Sequence, residues 1–353
     1  MEYQVLGLMS GTSLDGVDLV HCQFQTSAKG WTYTILNAKT YSYPSEWLSK
    51  LAFRSGLPAT ELLQLNHQYG LFLARVCTAF IDDFAINRKN IHLLASHGHT
   101  LFHQPDKGYT LQIGNGPELF SELQIPVVCD FRPQDVALGG QGAPLVPIGD
   151  QLLFHPYDAC LNLGGFANIS FEEKGVRRAF DICPVNFILN PQAQKLGKPY
   201  DDEGEMARQG KVDQPLLDKL EQLPFYQQAP PKSLGAEWVN YEFMPLVKPF
   251  NLKPPALLST FTQHIAQRIG EVLKNHTFER TLVSGGGAYN RFLLERVQQI
   301  SGCKLIVPEP EVIDFKEALV FALMGLLKHL GKNNILASVT GARHNHSSGV
   351  IYQ

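Results

Sequence analysis

Asp181 stands where the sequence turns from regular structure to chemistry. It follows the apolar pair Ala179-Phe180 and leads into Ile182-Cys183-Pro184-Val185-Asn186. A carboxylate at the mouth of a strand, beside a proline turn, is where a sheet presents a general base to a cleft. Such an Asp serves equally well to cap the next turn through backbone N–H groups. Three glycine-rich turns end short apolar runs: Gly11-Thr12-Ser13-Leu14-Asp15-Gly16-Val17-Asp18, Gly164-Gly165, and Gly285-Gly286-Gly287. Small residues let a backbone approach a ligand closely and aim free N–H groups at an anion. The first turn lies between apolar runs at 3–9 and 17–24, both strand-like, and the GxxxxGK[ST] pattern is absent. A phosphate loop carried by a β-hairpin points to a distinct group of ATP-using folds, although one such loop alone also reads as a plain turn.

Other polar residues cluster in the first half. Ser96-His97-Gly98-His99-Thr100-Leu101-Phe102-His103 holds three histidines. On a strand, His97 and His99 would share a face and could hold zinc, but no further ligand is spaced to complete a set. Neutral imidazoles of this kind also bind sugar hydroxyls. Thr110-Leu111-Gln112-Ile113-Gly114-Asn115-Gly116, Asp130-Phe131-Arg132-Pro133 and Gly139-Gly140-Gln141-Gly142 join polar side chains to permissive backbone, a plausible binding wall. Arg132 either forks onto a carboxylate or phosphate or makes a surface ion pair. Glu317, at the head of the apolar run 315–330, is either a first-turn partner of the helix dipole or a cleft carboxylate.

Strands and helices must position these groups. The first two glycine loops share a plan of strand, loop, strand, tight Lys-Gly turn (Lys29-Gly30 and Lys174-Gly175), strand. Two such meanders suggest a duplicated α/β fold. Leu62, Leu65, Tyr69, Phe72, Leu73, Val76 and Phe80 mark an amphipathic helix capped near Thr60, with Glu61 in its first turn. Phe261, Ile265, Ile269 and Val272 mark another, and 291–300 a third. Residues 223–255 lack a period and read as an irregular lobe. The length of 353 residues suits two domains. We place them at 1–130, with 336–353 packing back onto it, and at 131–335. A net charge of -3 argues against a nucleic acid or anionic-membrane partner, and no apolar run reaches membrane-span length. Six cysteines without CxxC spacing suit a reduced, cytoplasmic setting.

Taken together, these stretches resemble the anhydro-N-acetylmuramic acid kinases, bacterial sugar kinases of the actin and hexokinase superfamily. The resemblance runs in order from Gly7 through Ser338 to Ala342, and is most specific at 9–18 and 139–147. It implies a duplicated ribonuclease-H-like two-domain α/β fold with an interdomain active-site cleft. It also implies ATP with Mg²⁺, a homodimer, and a reaction on 1,6-anhydro-N-acetylmuramic acid from cell-wall turnover. Water opens the anhydro bridge and the freed O6 takes the γ-phosphoryl group, giving N-acetylmuramic acid 6-phosphate. By position, Gly11 through Asp18 and Gly164-Gly165 are the phosphate loops, and Gly285–Gly287 the nucleoside-side loop. Asp181 is the base that activates water, and Glu317 a second catalytic carboxylate. His97, Thr100, Gln112, Arg132 and Asn186 are expected to bind the sugar, with no resident metal ligand set. Family members commonly follow the base with Thr-Gly-Pro-Gly-Asn, where this chain has Ile182-Cys183-Pro184-Val185-Asn186. That departure leaves open a kinase for another anhydro or amino sugar, or a nucleotide-binding regulator without turnover. A zinc hydrolase built on His97 and His99 is a third reading.

Overall fold

The computed structural model describes the chain except for residues 12, 13, 29, 53–55 and 115. Its strands are β1 (Glu2–Met9), β2 (Val17–Ser27), β3 (Gly30–Tyr41), β4 (Leu93–Ser96), β5 (His99–Gln104), β6 (Tyr109–Ile113), β7 (Val127–Cys129), β8 (Ala159–Leu163), β9 (Phe166–Glu173), β10 (Val176–Pro184), β11 (Arg280–Ser284), β12 (Lys304–Ile306) and β13 (Val350–Tyr352). The chain divides into two compact units, Met1–Leu153 with Phe315–Gln353, and Phe154–Asp314.

The sheet of the first unit runs β13-β7-β4-β1-β2-β3, and that of the second β10-β9-β8-β11-β12. In the first, β1 pairs antiparallel with β2 and parallel with β4, and β4 continues parallel to β7. In the second, β8 pairs antiparallel with β9 and parallel with β11, and β11 continues parallel to β12. The order β3-β2-β1-β4-β7 is thus repeated as β10-β9-β8-β11-β12, which is the duplication the two meanders suggested. The apolar alternation of a hairpin sheet gives way to the continuous burial of parallel strands, as at Leu93 to Ser96.

The units divide after Leu153 and before Phe315, away from the expected 130/131 and 335/336. Two contacts explain this. The helix Pro310–His329 lies on the first sheet, with Ala318 and Ala322 against Gly7 of β1 and Gly325 against Ala95 of β4. Residues following β7 bond back to the first unit, and β13 pairs with β7. That helix also begins earlier than expected, at Pro310, so Glu317 is not in its first turn; Glu311 is. Glu317 is therefore not a first-turn partner of the helix dipole. The helix Ala59–Asp83 has Pro58 at its N-cap position with no side-chain cap, so Thr60 does not cap it, while Glu61 does lie in its first turn. Residues 223–255 break into short helical pieces such as Pro224–Gln227 and Val239–Phe243. No helix among the described residues is long and apolar enough to cross a membrane.

Gly7 shows how closely the long helix seats. A Cβ there would stand 2.2 Å from the Ala318 carbonyl oxygen and 2.9 Å from the Ala322 Cβ. Overpacking of this kind typically destabilises by about 1–3 kcal/mol. Gly7→Ala is expected to lower the guanidinium midpoint of the first unit by an amount in that range, and an unchanged midpoint would refute the close packing.

Candidate functional site

The first-unit site gathers at the carboxyl ends of β1, β4 and β7. β1 ends at Met9, paired with Asp18, so the loop from Ser10 opens there. Thr12 and Ser13 lie outside the described residues, as does Lys29 of the first Lys-Gly turn. Ser10 is fully buried and its hydroxyl donates to the Gly98 carbonyl at 2.8 Å, tying the loop to the histidine segment. Leu14 takes a left-handed backbone, φ 62°, and Asp15 is exposed. Asp18 accepts a hydrogen bond from the Thr40 hydroxyl at 2.6 Å.

His97 and His99 do not share a strand face. β4 stops at Ser96, Gly98 turns at φ 70°, and β5 starts at His99, so the residues flank a bend. The partners of His97 define its tautomer. Nδ1 lies 2.8 Å from the Gly98 carbonyl, which only accepts, so Nδ1 carries the proton. Nε2 is then bare and accepts from Arg132 Nε at 2.9 Å. Burial first, and then the Arg132 charge, hold the imidazole well below its ordinary pKa. Both nitrogens are thus committed to partners within the protein. Arg132 also donates to the Gly142 carbonyl at 2.6 Å, which leaves a fixed fork instead of a mobile surface charge. Gly142 N–H donates in turn to buried Asp135 at 2.7 Å, and Asp135 accepts from the Thr340 hydroxyl at 2.8 Å.

Thr100 and Gln112 meet across the β5–β6 hairpin. Gln112 Nε2 donates to the hydroxyls of Thr100 at 3.2 Å and Thr110 at 2.8 Å, and His103 Nδ1 lies 3.1 Å from Thr110 Oγ1. Glu317 has solvent access but is crowded by protein atoms, and this desolvation raises its carboxyl pKa. Arg132 pulls it back down and Asp18 pushes it up, which places all three charges in one neighbourhood. Beside it, Lys316 and Asp150 form a buried ion pair at 2.7 Å that pins this face of the helix.

The second unit brings together Gly164, Gly165, Asn186 and the Gly285–Gly287 turn. The Gly165 carbonyl accepts from Val185 N–H at 2.8 Å and Phe187 N–H at 3.1 Å, fastening the loop to the helix Asn186–Gln194. Gly285 sits at φ 79°, and a Cβ there would meet Asn162 Oδ1 at 2.6 Å, so packing demands glycine. Gly286 is different: a Cβ would have Asn186 Nδ2 at 3.7 Å and no closer neighbour, so this backbone faces open space. That space is a cavity of about 530 Å³ lined by Asn186, Asn190, Asp201, Gly286, Tyr289 and Asn290 among others. Tyr200 and Tyr289, also in its lining, are 55% and 45% exposed, aromatic faces available to a flat ring. Asn186 therefore stands with the glycines of this cavity and belongs to a different unit from His97, Thr100, Gln112 and Arg132. Sequence reading missed Tyr200, Asp201 and Asn190. Asn190 lies one helical turn beyond Asn186, a spacing that places both on one face.

Asp181 is half-buried in β10, where the register with β9 shifts between Asp181 and Cys183. Bulges of this kind re-aim a side chain. Its Oδ2 accepts from Leu234 N–H at 2.7 Å. Burial raises its pKa, and the Leu234 bond partly offsets that. Cys183 and Val185, the residues found where glycine is common, are fully buried in the core of this unit. Neither takes a left-handed backbone, so nothing here requires glycine, and their bulk points into the core.

The anhydro-N-acetylmuramic acid kinase family matches residues 3–353. The anhydro-N-acetylmuramic acid kinase of Francisella tularensis subsp. novicida is 33% identical, with 97% of each chain covered. That of Shewanella baltica is 35% identical over 96% of this chain and 95% of its own. Among solved structures, the ADPNP-bound activator of the 2-hydroxyisocaproyl-CoA dehydratase from Clostridium difficile aligns at TM-score 0.45 and 13% identity, over 91% of this chain and 94% of that one.

The neutral state of His97 has a consequence for stability. Unfolded, it binds a proton below about pH 6.5; folded, burial and Arg132 keep it neutral to lower pH. The unfolded chain then holds more protons, so stability falls as pH drops below about 6.5, at up to about 1.4 kcal/mol per pH unit for one group. His97→Gln keeps an acceptor for Arg132 but cannot titrate. Its denaturation midpoint should fall less steeply with acid than that of the unaltered protein, and identical slopes would contradict the assignment.

Proposed function

The chain belongs to the anhydro-N-acetylmuramic acid kinase family, and from that premise we propose how its residues divide the reaction among them. The enzyme is an ATP-dependent kinase of peptidoglycan recycling that acts on 1,6-anhydro-N-acetylmuramic acid. In the proposed course, a water oxygen attacks the anomeric carbon while Asp181 takes its proton. The C1–O6 bond breaks with its electron pair going to O6. O6 then attacks the γ-phosphorus of ATP, and ADP leaves with the electrons of the broken P–O bond. The products are N-acetylmuramic acid 6-phosphate and ADP.

One observation carries the assignment of the base. Asp181 is half-buried three residues before the carboxyl end of β10, beside its register shift, with Oδ2 held by a backbone donor. Its Oδ1 accepts no hydrogen bond from the described residues, so it is available to a water. A carboxylate with a raised pKa is a stronger base, when ionised, than an exposed one. Glu317 supplies the second carboxylate, its charge balanced by Arg132. Arg132, Thr100 and Gln112 form the sugar-binding wall, with His97 orienting Arg132. The open backbone at Gly286 and the exposed faces of Tyr200 and Tyr289 support a nucleoside in the 530 Å³ cavity, with Gly164-Gly165 of the same unit as a phosphate loop, and the family resemblance assigns the loop from Gly11 to Asp18 to the phosphates as well. The homodimer and the cytoplasmic setting implied by the family remain part of this proposal.

Mg²⁺ is tested by the donors available. Among the described residues, no group of three or more His, Cys, Asp or Glu side chains is placed to hold a metal ion. That suits an ion bound mainly by phosphate oxygens and water, with Asp15 or Asp18 as its one or two protein carboxylates. Bound there, Mg²⁺ would neutralise charge on the transferring phosphoryl group. Chelation with EDTA should abolish sugar-dependent ADP release, and added Mg²⁺ should restore it; full activity in EDTA would remove the metal from the scheme.

Asp181→Asn should retain nucleotide binding while turnover falls by at least about 10²-fold, the lower range for loss of a general base. Coupled ADP release with the anhydro sugar measures this, and near-normal turnover would end the assignment. Because the base works ionised, kcat of the unaltered enzyme should fall on the acid side at a pH above the ordinary carboxylate range. That acid limb should vanish from any residual activity of the variant.

A further inference from the structure

β10 is the edge strand of its sheet, so β9 supports only the inner side of Asp181. The outer side is held by a segment with no role in the scheme above. Asp181 N–H donates to the Lys232 carbonyl at 3.0 Å, and Leu234 N–H donates to Asp181 Oδ2 at 2.7 Å. Two bonds from residues two apart thus clamp both the backbone and the carboxylate of Asp181. The clamp is itself anchored. Lys232 Nζ donates to the Phe225 carbonyl at 3.2 Å and lies 4.6 Å from the centre of the Phe225 ring. Phe225 is buried in the turn Pro224–Gln227. Its neighbour Tyr226 bonds through its hydroxyl to His264 Nε2 at 2.8 Å, and the other nitrogen of His264 pairs with Glu221. Arg268 pairs with Glu221 and lies over the Tyr226 ring. His264 and Arg268 belong to the buried helix Pro254–Asn275, so the anchor ends in the core.

We propose that residues 232–234 are a positioning strap that selects which oxygen of Asp181 meets the water, with Lys232 and the Leu234 N–H as its working groups. This rests on Asp181 being the base. A flexible carboxylate on an edge strand would sample rotamers in which neither oxygen is aligned, and the strap removes that freedom. The same N–H also favours the ionised carboxylate, so the strap sets both the direction and the readiness of the base.

The test is Leu234→Pro, which deletes the N–H and keeps an apolar side chain, assayed as kcat against pH. Loss of one hydrogen bond to a charged group predicts a fall in kcat of about tenfold to a hundredfold. Without the donor the Asp181 pKa rises, so the acid limb must also move to higher pH, while KM for ATP stays unchanged. A folded variant with the kcat and acid limb of the unaltered enzyme overturns the proposal, as does a lower kcat with an unmoved limb. Folding is checked by circular dichroism and by a nucleotide-induced thermal shift. If the proline variant does not fold, Lys232→Met decides. It should lower kcat by about three- to tenfold, as for one neutral-acceptor bond, and move the limb the same way. A folded Lys232→Met with an unmoved limb overturns the strap. Asp181→Asn separates the two readings: full turnover there removes the base itself, whereas an inactive Asp181→Asn beside an unaffected strap variant removes only the strap.

Discussion

In each unit the first strand is hydrogen-bonded antiparallel on one side and parallel on the other, and the glycine loops, the His97 bend and the Arg132 segment depend on that arrangement. β1 lies between β2 and β4, and β8 between β9 and β11. Where the direction of pairing changes, the loops leaving neighbouring strands diverge and expose backbone at the carboxyl edge. The Ser10 loop, the His97 bend and the Arg132 segment all leave that edge in the first unit. Gly164-Gly165 and Gly285–Gly287 leave it in the second, and Asp181 lies near it, since β10 runs in the same direction as β8. Duplication therefore delivers two glycine-containing loops from one folding plan, with different side chains around each.

Charge is handled differently in the two units. In the first, Arg132, Glu317, Asp18 and the buried pair of Lys316 with Asp150 are crowded together. Burying a lone guanidinium is costly, and neutral His97 eases that cost by accepting a hydrogen bond without adding charge. A protonated histidine there would repel Arg132 and break the fork. In the second unit, Asp181 has no cation as its main neighbour; its environment is desolvation tempered by one backbone dipole. A salt bridge would have lowered its pKa and weakened it as a base, so the absence of such a pairing is consistent with proton abstraction.

The meanders, the glycine loops and the strand ahead of Asp181 were legible because hairpin turns and period-two burial are local signals. The clear failures were non-local. The apolar run that begins at Phe315 puts Glu317 at a helix start, yet the helix begins at Pro310, a residue suited to that position and followed by exposed Glu311. His97 and His99 looked like neighbours on a strand, and only the turn at Gly98 separates them. The tyrosines of the cavity gave no warning, because Tyr200 and Tyr289 are far apart in sequence and come to line one cavity only through the fold, where Asn290 packs against Gly204. Domain limits failed for the same reason: the contacts of Gly7 with Ala318 and of Asp135 with Thr340 span much of the chain.

The run Ile182-Cys183-Pro184-Val185 shows why a departure from a family pattern need not alter its site. Glycine is indispensable where the backbone is left-handed or where another group occupies the place of its Cβ, as at Gly285. At Cys183 and Val185 neither condition holds, and their side chains fill the core formed with Phe261, Ile265 and neighbouring residues. Apolar side chains there add buried area beside the strand that carries Asp181. Freedom lost next to a catalytic carboxylate is harmful only if that freedom is used. Here Asp181 is already held on its outer side by hydrogen bonds to the backbone of Lys232 and Leu234, so its geometry does not depend on glycine at 183 or 185.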